Sequence, residues 1–268
     1  MIRKEDLLSF ARLKQLAPRL VELDYLQDVA LLNLFREYGN KLIFKGGTCL
    51  YKAYQLNRFS EDLDFSTKPG FKAAAALQRL PYFFSLLNLN STIKIEQFGK
   101  AVNVYLKIIG PLYDGSKGSM ATLILNISSR ERVLFPVQRI PYLPLYLELR
   151  PFDLLVMDER EILAEKVRAI YERNKARDVY DLWYLILRKG IVQDQKLIVR
   201  KLSAVGLKFT LPSFLSKIQK KEESWKKDLG GLIAGPLPDF KKVEELLTAA
   251  LFPAAPQVTS VNRQPGVP

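Results

Sequence analysis

The sequence predicts an α/β (α+β) protein in which a mixed sheet packs against helices. Three patterns support this fold class. Apolar residues recur at helical spacing over residues 20–35, and a short apolar run at 42–44 ends at a pair of glycines. Apolar residues alternate strictly over 101–109, which is typical of a half-buried strand. A chain that has both the helical spacing and the strand alternation is expected to form a sheet covered by helices.

The first half of the chain alternates helices and strands. Residues 5–38 are predicted to be helical and to end at Gly39-Asn40, after which the apolar run 42–44 forms a strand. A helix from Thr48 to about residue 57 and a strand over 63–66 follow. Pro69-Gly70 then turns the chain into an Ala-rich helix over 71–87.

The next strands are predicted over 92–98, 101–109 and 121–127, and their strand–turn–strand pairing would make an antiparallel hairpin beside the strand over 63–66. Four prolines between residues 136 and 151 indicate a connecting region. A strand over 153–157 and a helix over 159–174 come next, and residues 190–251 are helical and basic. We therefore predict three parts: a core with N-terminal helices, a helical C-terminal domain and a flexible tail, over 1–150, 151–251 and 252–268.

Composition narrows the chemistry. The 268 residues include no histidine, which excludes Ser–His–Asp triads, Cys–His pairs and histidine metal sites. Carboxylates, lysines and backbone amides must then perform any catalysis. The single Cys49 cannot form an internal disulfide, and no apolar run is long enough to span a bilayer, so we expect a cytoplasmic protein without a membrane partner.

The net charge of +13 favours a polyanionic partner. Residues 196–227 contain nine basic residues against two acidic ones, so over half of the excess lies in this stretch. Nucleic acid is the predicted partner. The alternative is a basic helix face that only contacts water.

A glycine pair lies where the strand over 42–44 meets the following helix. Gly46, Gly47 and Thr48 would present free N–H groups at the helix N-terminus, an arrangement that favours phosphate. Asp62 and Asp64 lie two residues apart on the next strand, so both carboxylates point to one face. Such a pair suits Mg²⁺ or Mn²⁺, although a plain turn beside an acidic strand edge is the alternative.

The chain order is strand, G-G-T-x-L-x-K, helix, R-x-S-x-D-x-D-F, and later L-A-E-K-x-R-A-x-x-x-R and R-D-x-x-D-L. These motifs resemble those of the AbiEii/AbiGii nucleotidyltransferase toxins, which have a DNA polymerase β-like core. The resemblance covers about residues 20–190. It implies that the glycine pair, Thr48, Lys52 and Ser60 bind the nucleotide and that Asp62 and Asp64 bind the metal.

The resemblance also implies that the C-terminal domain completes the active site. Lys166, Asp178 and Asp181 would be catalytic, with Arg173 near the nucleotide. From the residues alone, Lys166 has three interpretations: its ammonium extends to water, contacts phosphate, or acts as a desolvated base. Asp181 faces inward and needs a cationic partner, for which Lys166, Arg168 and Arg173 are candidates.

One position departs from the family pattern. The third strand reads L-I-L-N-I-S, and Asn126 stands where the family has an acidic residue. An amide oxygen can ligate a metal weakly, but it has no charge and takes no proton at neutral pH. Chemistry that needs three carboxylates is therefore in doubt.

The resemblance implies transfer of NMP from an NTP to RNA, such as a tRNA 3′ end, by the toxin of a toxin–antitoxin pair. A cognate antitoxin is then an expected partner. Two alternatives stay open. The enzyme modifies a small molecule or a protein, or Asn126 marks a degenerate site that only binds nucleotide or RNA.

Overall fold

The computed structural model describes residues 1–130 and 132–251, which contain a seven-stranded mixed sheet. The predicted tail over 252–268 lies outside the described residues. Neighbouring strands follow the order β3-β4-β5-β2-β1-β7-β6. The strands are β1 (Leu42–Lys45), β2 (Leu63–Thr67), β3 (Ser91–Phe98), β4 (Ala101–Ile108), β5 (Ala121–Ser128), β6 (Gln138–Tyr142) and β7 (Phe152–Val156).

The centre of the sheet joins strands that are distant in sequence. Strand β2 pairs antiparallel with β1 and parallel with β5, while β7 pairs parallel with β1. The register sets Asp64 opposite Lys45 on one side and opposite Asn126 on the other. Three polar side chains from three strands are thereby brought to one row of the sheet.

Helices cover the sheet and form the C-terminal part of the chain. Helix α2 follows the predicted apolar spacing and buries Leu26, Val29 and Leu34. No helix in the described part of the chain combines the length and apolarity needed to cross a bilayer. The helices are α1 (Lys4–Lys14), α2 (Pro18–Tyr38), α3 (Gly46–Ala53), α4 (Ala73–Ala76), α5 (Leu80–Ser85), α6 (Glu159–Glu172), α7 (Ala176–Trp183), α8 (Gln195–Ser203), α9 (Leu211–Gln219), α10 (Trp225–Leu229) and α11 (Phe240–Leu251).

The predicted fold class is confirmed, and two local predictions are wrong. The helix expected over 71–87 is divided into α4 and α5 by a 3₁₀ turn just before Pro81, whose ring cannot continue a helix interior. The proline-rich region contains strand β6. This strand is tolerated because it lies at the sheet edge, where the missing N–H of Pro141 need not enter a ladder on both sides.

The sheet continues past residue 150. Strand β7 pairs with β1 at Phe44 and Val156, so the last core strand follows the boundary expected from sequence. A division into a sheet core and a helical C-terminal part would therefore begin after Val156. We propose that the helical C-terminal part begins at this point.

Candidate active site

Two carboxylates lie at the start of strand β2. Asp62 directly precedes the strand, and Asp64 alternates with the buried side chains of Leu63 and Phe65. Burial and the nearby charge of Asp64 raise the pKa of Asp62 to about 6. Burial also raises the pKa of Asp64 above its usual value, although a hydrogen bond from Asn126 opposes the shift. Ionisation of either group therefore has a cost that a bound cation would offset.

Asn126 contacts the Asp pair from the neighbouring strand. Its Nδ2 donates to Asp64 Oδ1 at 3.1 Å. The amide nitrogen thus faces the carboxylate, and the amide plane must rotate before its oxygen can join a metal site. Asn126 stands where the family pattern has an acidic residue, and the strand register places this position directly beside Asp64.

The glycine pair has no room for side chains. Gly46 has φ +75°, and a Cβ there would lie 2.4 Å from Asp64 Oδ2. A Cβ on Gly47 would lie 2.7 Å from Arg58 Nη2 and 2.8 Å from Ser60 Oγ. Both positions need glycine so that the backbone can approach the acidic strand. Helix α3 begins at Gly46, next to Asp64, and no side chain caps its N-terminus. Its first N–H groups are therefore left without a side-chain acceptor beside the acidic strand.

Thr48 and Ser60 support the loop that holds the Asp pair. The buried Thr48 hydroxyl donates to the Asp62 carbonyl, and Ser60 packs against the glycine pair. Gln27 Nε2 donates to the carbonyls of Ser60 and Glu61, at 2.8 Å each. These contacts position the loop.

The structure places Lys52 away from the Asp pair, contrary to expectation. Its side chain is 1% exposed, and Nζ contacts carboxylate oxygens of Asp24, at 2.8 Å, and Asp28, at 2.5 Å. A lysine enclosed in this way has no free direction toward a nucleotide. Lys52 lies six positions after Gly46, and there the turn of α3 directs its side chain toward helix α2.

Lys166 and two aspartates form a buried cluster on α6 and α7. Lys166 Nζ lies 3.0 Å from Asp178 Oδ1 and 2.6 Å from Asp181 Oδ2, and neither carboxylate is exposed. Burial lowers the pKa of Lys166, but the charges of Asp181 and Asp178 outweigh it and raise the pKa above its usual value. Lys166 is thus a fixed cation and not a desolvated base.

The same cluster shows why the two aspartates are poor proton acceptors. Burial raises the pKa of Asp178, yet Lys166 and Arg173 outweigh that effect and the pKa falls below its usual value. The pKa of Asp181 is likewise lowered, because Arg58 and Lys166 outweigh its burial. Both carboxylates therefore stay ionised and orient Lys166.

Arg58 is a site residue whose role the sequence did not reveal. Its Nε and Nη2 donate to the two Asp181 oxygens at 2.9 Å each, and its side chain is 1% exposed. Of the cations that the sequence offered as partners of Asp181, Lys166 contacts it, but Arg58 was not among those candidates. The signal was present, since Arg58 opens the R-x-S-x-D-x-D motif.

A cavity of about 230 Å³ lies between the Asp strand and helix α6. Gly46, Asp64 and Lys166 line it, and Arg173 is at its rim with a side chain that is 55% exposed. Arg173 donates to both Asp178 oxygens, at 2.7 and 2.8 Å. The cavity therefore joins the two halves of the predicted site.

Lys45 and Glu165 also line this cavity and were missed. Lys45 Nζ lies 3.0 Å from Glu165 Oε2, which bridges α6 and strand β1. Each residue directly precedes a predicted site residue, Gly46 or Lys166. That adjacency was the available signal.

The Asp pair fits a divalent cation. Among the described residues no group of three or more acidic or cysteine side chains is placed to hold a metal, so the protein would supply two carboxylates. Mg²⁺ commonly binds one or two carboxylates together with water and substrate phosphate oxygens. The raised pKa values of the buried pair are consistent with such a site.

The family comparison agrees with this geometry. Residues 30–249 match the family model of the nucleotidyl transferase AbiEii toxin of type IV toxin–antitoxin systems. The chain belongs to the AbiEii nucleotidyltransferase toxin family. The resemblance seen in the motifs and the assignment as a nucleotidyltransferase are thereby confirmed.

Solved structures show the same fold as this AbiEii family member. MenT4, a nucleotidyltransferase toxin from Mycobacterium tuberculosis H37Rv, superposes with a TM-score of 0.66 at 19% identity, covering 96% of this chain and 91% of that chain. JHP933 from Helicobacter pylori gives a TM-score of 0.62 at 22% identity, covering 88% and 91%. No curated protein matches the chain in sequence.

Proposed function

We propose that this AbiEii family member transfers NMP from an NTP to an RNA 3′ end, such as that of tRNA, with Mg²⁺ or Mn²⁺ at Asp62 and Asp64. The observation that carries the proposal is the cavity in which Asp64, Gly46 and Lys166 meet. It brings one carboxylate of the Asp pair together with an uncapped helix N-terminus and a buried cation. Phosphoryl transfer needs these groups for positioning and charge stabilisation.

Each group has a distinct role in this proposal. The N–H groups at the start of α3 bind phosphate oxygens, and the glycine pair lets the nucleotide approach the Asp strand. Lys166, held by Asp178 and Asp181, stabilises the negative charge of the triphosphate or the leaving pyrophosphate. Asp62 and Asp64 would hold the divalent cation, which when bound would neutralise phosphate charge. Arg173 contacts phosphate from the rim.

The basic charge of the chain supports an RNA acceptor. In the stretch 196–227, Lys201 and Lys221 are buried in internal contacts, the first with Glu161 and the second with the Arg173 carbonyl. Six cations of this stretch remain exposed on and between helices α8–α10 and can contact phosphates: Lys196, Arg200, Lys208, Lys220, Lys226 and Lys227.

The proposal also includes a place of action and a partner. NTPs and RNA are cytoplasmic substrates, and the buried thiol of Cys49 has no partner for a disulfide. Because the family consists of toxins of toxin–antitoxin systems, we expect a cognate antitoxin to regulate this protein. We therefore propose a cytoplasmic toxin that is restrained by an antitoxin.

A transfer assay tests the function directly. The purified protein is incubated with each alpha-labelled NTP, Mg²⁺ and total RNA, with EDTA as the control. We expect label on an RNA band in the presence of Mg²⁺ and no label with EDTA. Label on the protein itself, or on neither, would contradict the RNA acceptor.

Substitution of Asn126 tests the incomplete carboxylate set. Asn126→Ala is expected to lower transfer by a modest factor, because the amide presents its nitrogen to Asp64. Asn126→Asp is expected to lower the half-saturating Mg²⁺ concentration about tenfold, or by about 1.4 kcal/mol. Transfer rates measured over a Mg²⁺ titration check both. Complete loss in Asn126→Ala, with NTP binding intact, would show that the amide is an essential ligand.

A further inference from the structure

A second basic surface lies at the strand ends opposite Asp62. Strands β2 and β5 end there, next to the hairpin between β3 and β4. Five exposed cations surround the region, and none of them forms an ion pair with a described carboxylate. We define the basic groove by these residues: Lys68, Lys72, Lys100, Arg130 and Arg132.

Two adjoining cavities form the floor of the basic groove. Their volumes are about 410 and 750 Å³, and Thr67, Lys100 and Ser129 line both. No carboxylate lines either cavity in the described chain. Thr67 Oγ1 is buried and has no hydrogen-bond partner among the described residues. The groove therefore offers positive charge along its length, and the unpaired Thr67 hydroxyl lies beneath its floor.

Aromatic side chains accompany the cations. Phe71 lines the smaller cavity and Phe135 lines the larger one, and both rings are half-buried. The Arg160 guanidinium covers one face of Phe135, 4.3 Å from the ring centroid, which leaves the other face for a base. Cations that follow a backbone, with rings on which bases stack, are typical of surfaces that bind single-stranded nucleic acid. A small anion would need fewer cations and no aromatic rings.

The basic groove is close to the catalytic strands. Thr67 follows Asp64 by three residues on β2, and Ser129 follows Asn126 by three residues. Each step is about 10 Å along the strand and turns the side chain to the other face of the sheet, so RNA in the groove would pass round the strand ends to reach the Asp pair. We infer that the basic groove binds the single-stranded part of the acceptor RNA next to its reacting 3′ end. The inference rests on the proposed transfer to RNA and assigns a surface separate from the basic helices α8–α10.

Charge reversal in the groove tests the inference. Lys68→Glu, Lys100→Glu and Arg132→Glu are combined, and binding of fluorescently labelled tRNA is measured by anisotropy at about 50 and about 200 mM salt. We expect affinity at low salt to fall at least about tenfold. The slope of log K against log salt should decrease by about three, one for each lost phosphate contact.

The control changes charge equally on the N-terminal helices. Lys4→Glu, Arg12→Glu and Arg36→Glu reverse three exposed cations outside the groove. This variant should change RNA affinity by less than about twofold, because salt screens the attraction between RNA and cations that it does not contact. Circular dichroism verifies that both triple variants fold. An equal loss in the two variants would overturn the groove in favour of net charge.

Other outcomes separate this inference from the proposed function. If wild type binds and labels tRNA while the groove variant keeps its affinity and salt slope, the groove inference is wrong and the function stands. If wild type neither binds nor labels RNA, both are wrong. If the groove variant keeps RNA binding but no longer binds its purified antitoxin, the groove is a protein-docking surface and the inference is again overturned.

Discussion

Replacing Asp64 by alanine is expected to lower nucleotidyl transfer by at least about two to three orders of magnitude while leaving the protein folded. Asp64 lines the cavity shared with Gly46 and Lys166, and it is one of two carboxylates available to a metal. Asp62→Ala should have the same effect. Transfer of alpha-labelled NTP to RNA measures it, and Asp153→Ala, which removes an exposed carboxylate of the same sheet, is the matched control.

Stability gives an independent test of the Asp pair. The raised pKa of Asp62, about 6, means that its neutral form is favoured in the folded protein. As pH rises from about 4 through about 6, wild type should therefore lose stability relative to Asp62→Asn. The difference should vanish below about pH 4, where Asp62 is protonated in both states. Thermal unfolding across pH measures this.

Added Mg²⁺ should reverse that order. A cation that binds only the folded protein raises the melting temperature of wild type, whereas Asp62→Asn and Asp64→Ala should respond little. Full transfer activity in Asp62→Ala, or an equal Mg²⁺ response in all three proteins, would contradict the assignment of the carboxylate pair as the metal site.

Replacing Arg58 by methionine is expected to destabilise the protein by about 3–5 kcal/mol and to remove most transfer activity. The change removes both hydrogen bonds from Arg58 to the fully buried Asp181, whose charge then depends on Lys166. Lys166 would then be drawn toward Asp181 and away from phosphate. Urea unfolding measures the stability, and the transfer assay measures the activity.

Arg139→Met is the matched control for Arg58. Arg139 pairs with Asp153 at 3.4 Å, but the two side chains are 62% and 47% exposed, so the loss should be within about 1 kcal/mol. Adding Asp181→Leu to Arg58→Met should recover part of the stability, because the unpaired buried charge is removed, without restoring transfer. Equal stability of wild type and Arg58→Met would show that Asp181 is satisfied without Arg58.

Local patterns were enough to predict the centre of the fold. The strand, the glycine pair, helix α3 and the acidic strand follow one another within 26 residues, from Leu42 to Thr67, and each is specified by its own periodicity. A hairpin beside β2 was also predicted, but local patterns did not indicate that β5 would pair parallel with β2. Residues that are close in sequence therefore gave reliable predictions.

The partners of charged residues could not be predicted in the same way. Arg58 and Asp181 are separated by 123 positions, and periodicity does not indicate which of several cations meets a buried carboxylate. Lys52 shows the same limit. Its place in the G-G-T-x-L-x-K motif predicted a contact with the nucleotide, yet its ammonium forms ion pairs with Asp24 and Asp28 on helix α2.

The ion pairs of Lys52 define how short an active form of this protein can be. Asp24 and Asp28 both precede residue 30, where the family match begins. A proteolytic fragment that starts there would leave the ammonium buried without a counter-charge, and it would remove the acceptors of the Tyr142 and Tyr146 hydroxyls as well. Helix α3, which begins with the glycine pair, would lose its ion pairs with helix α2. The first 29 residues therefore support the proposed nucleotide pocket from within the fold, and we expect a protease that removes them to abolish transfer without cutting any residue that lines the pocket.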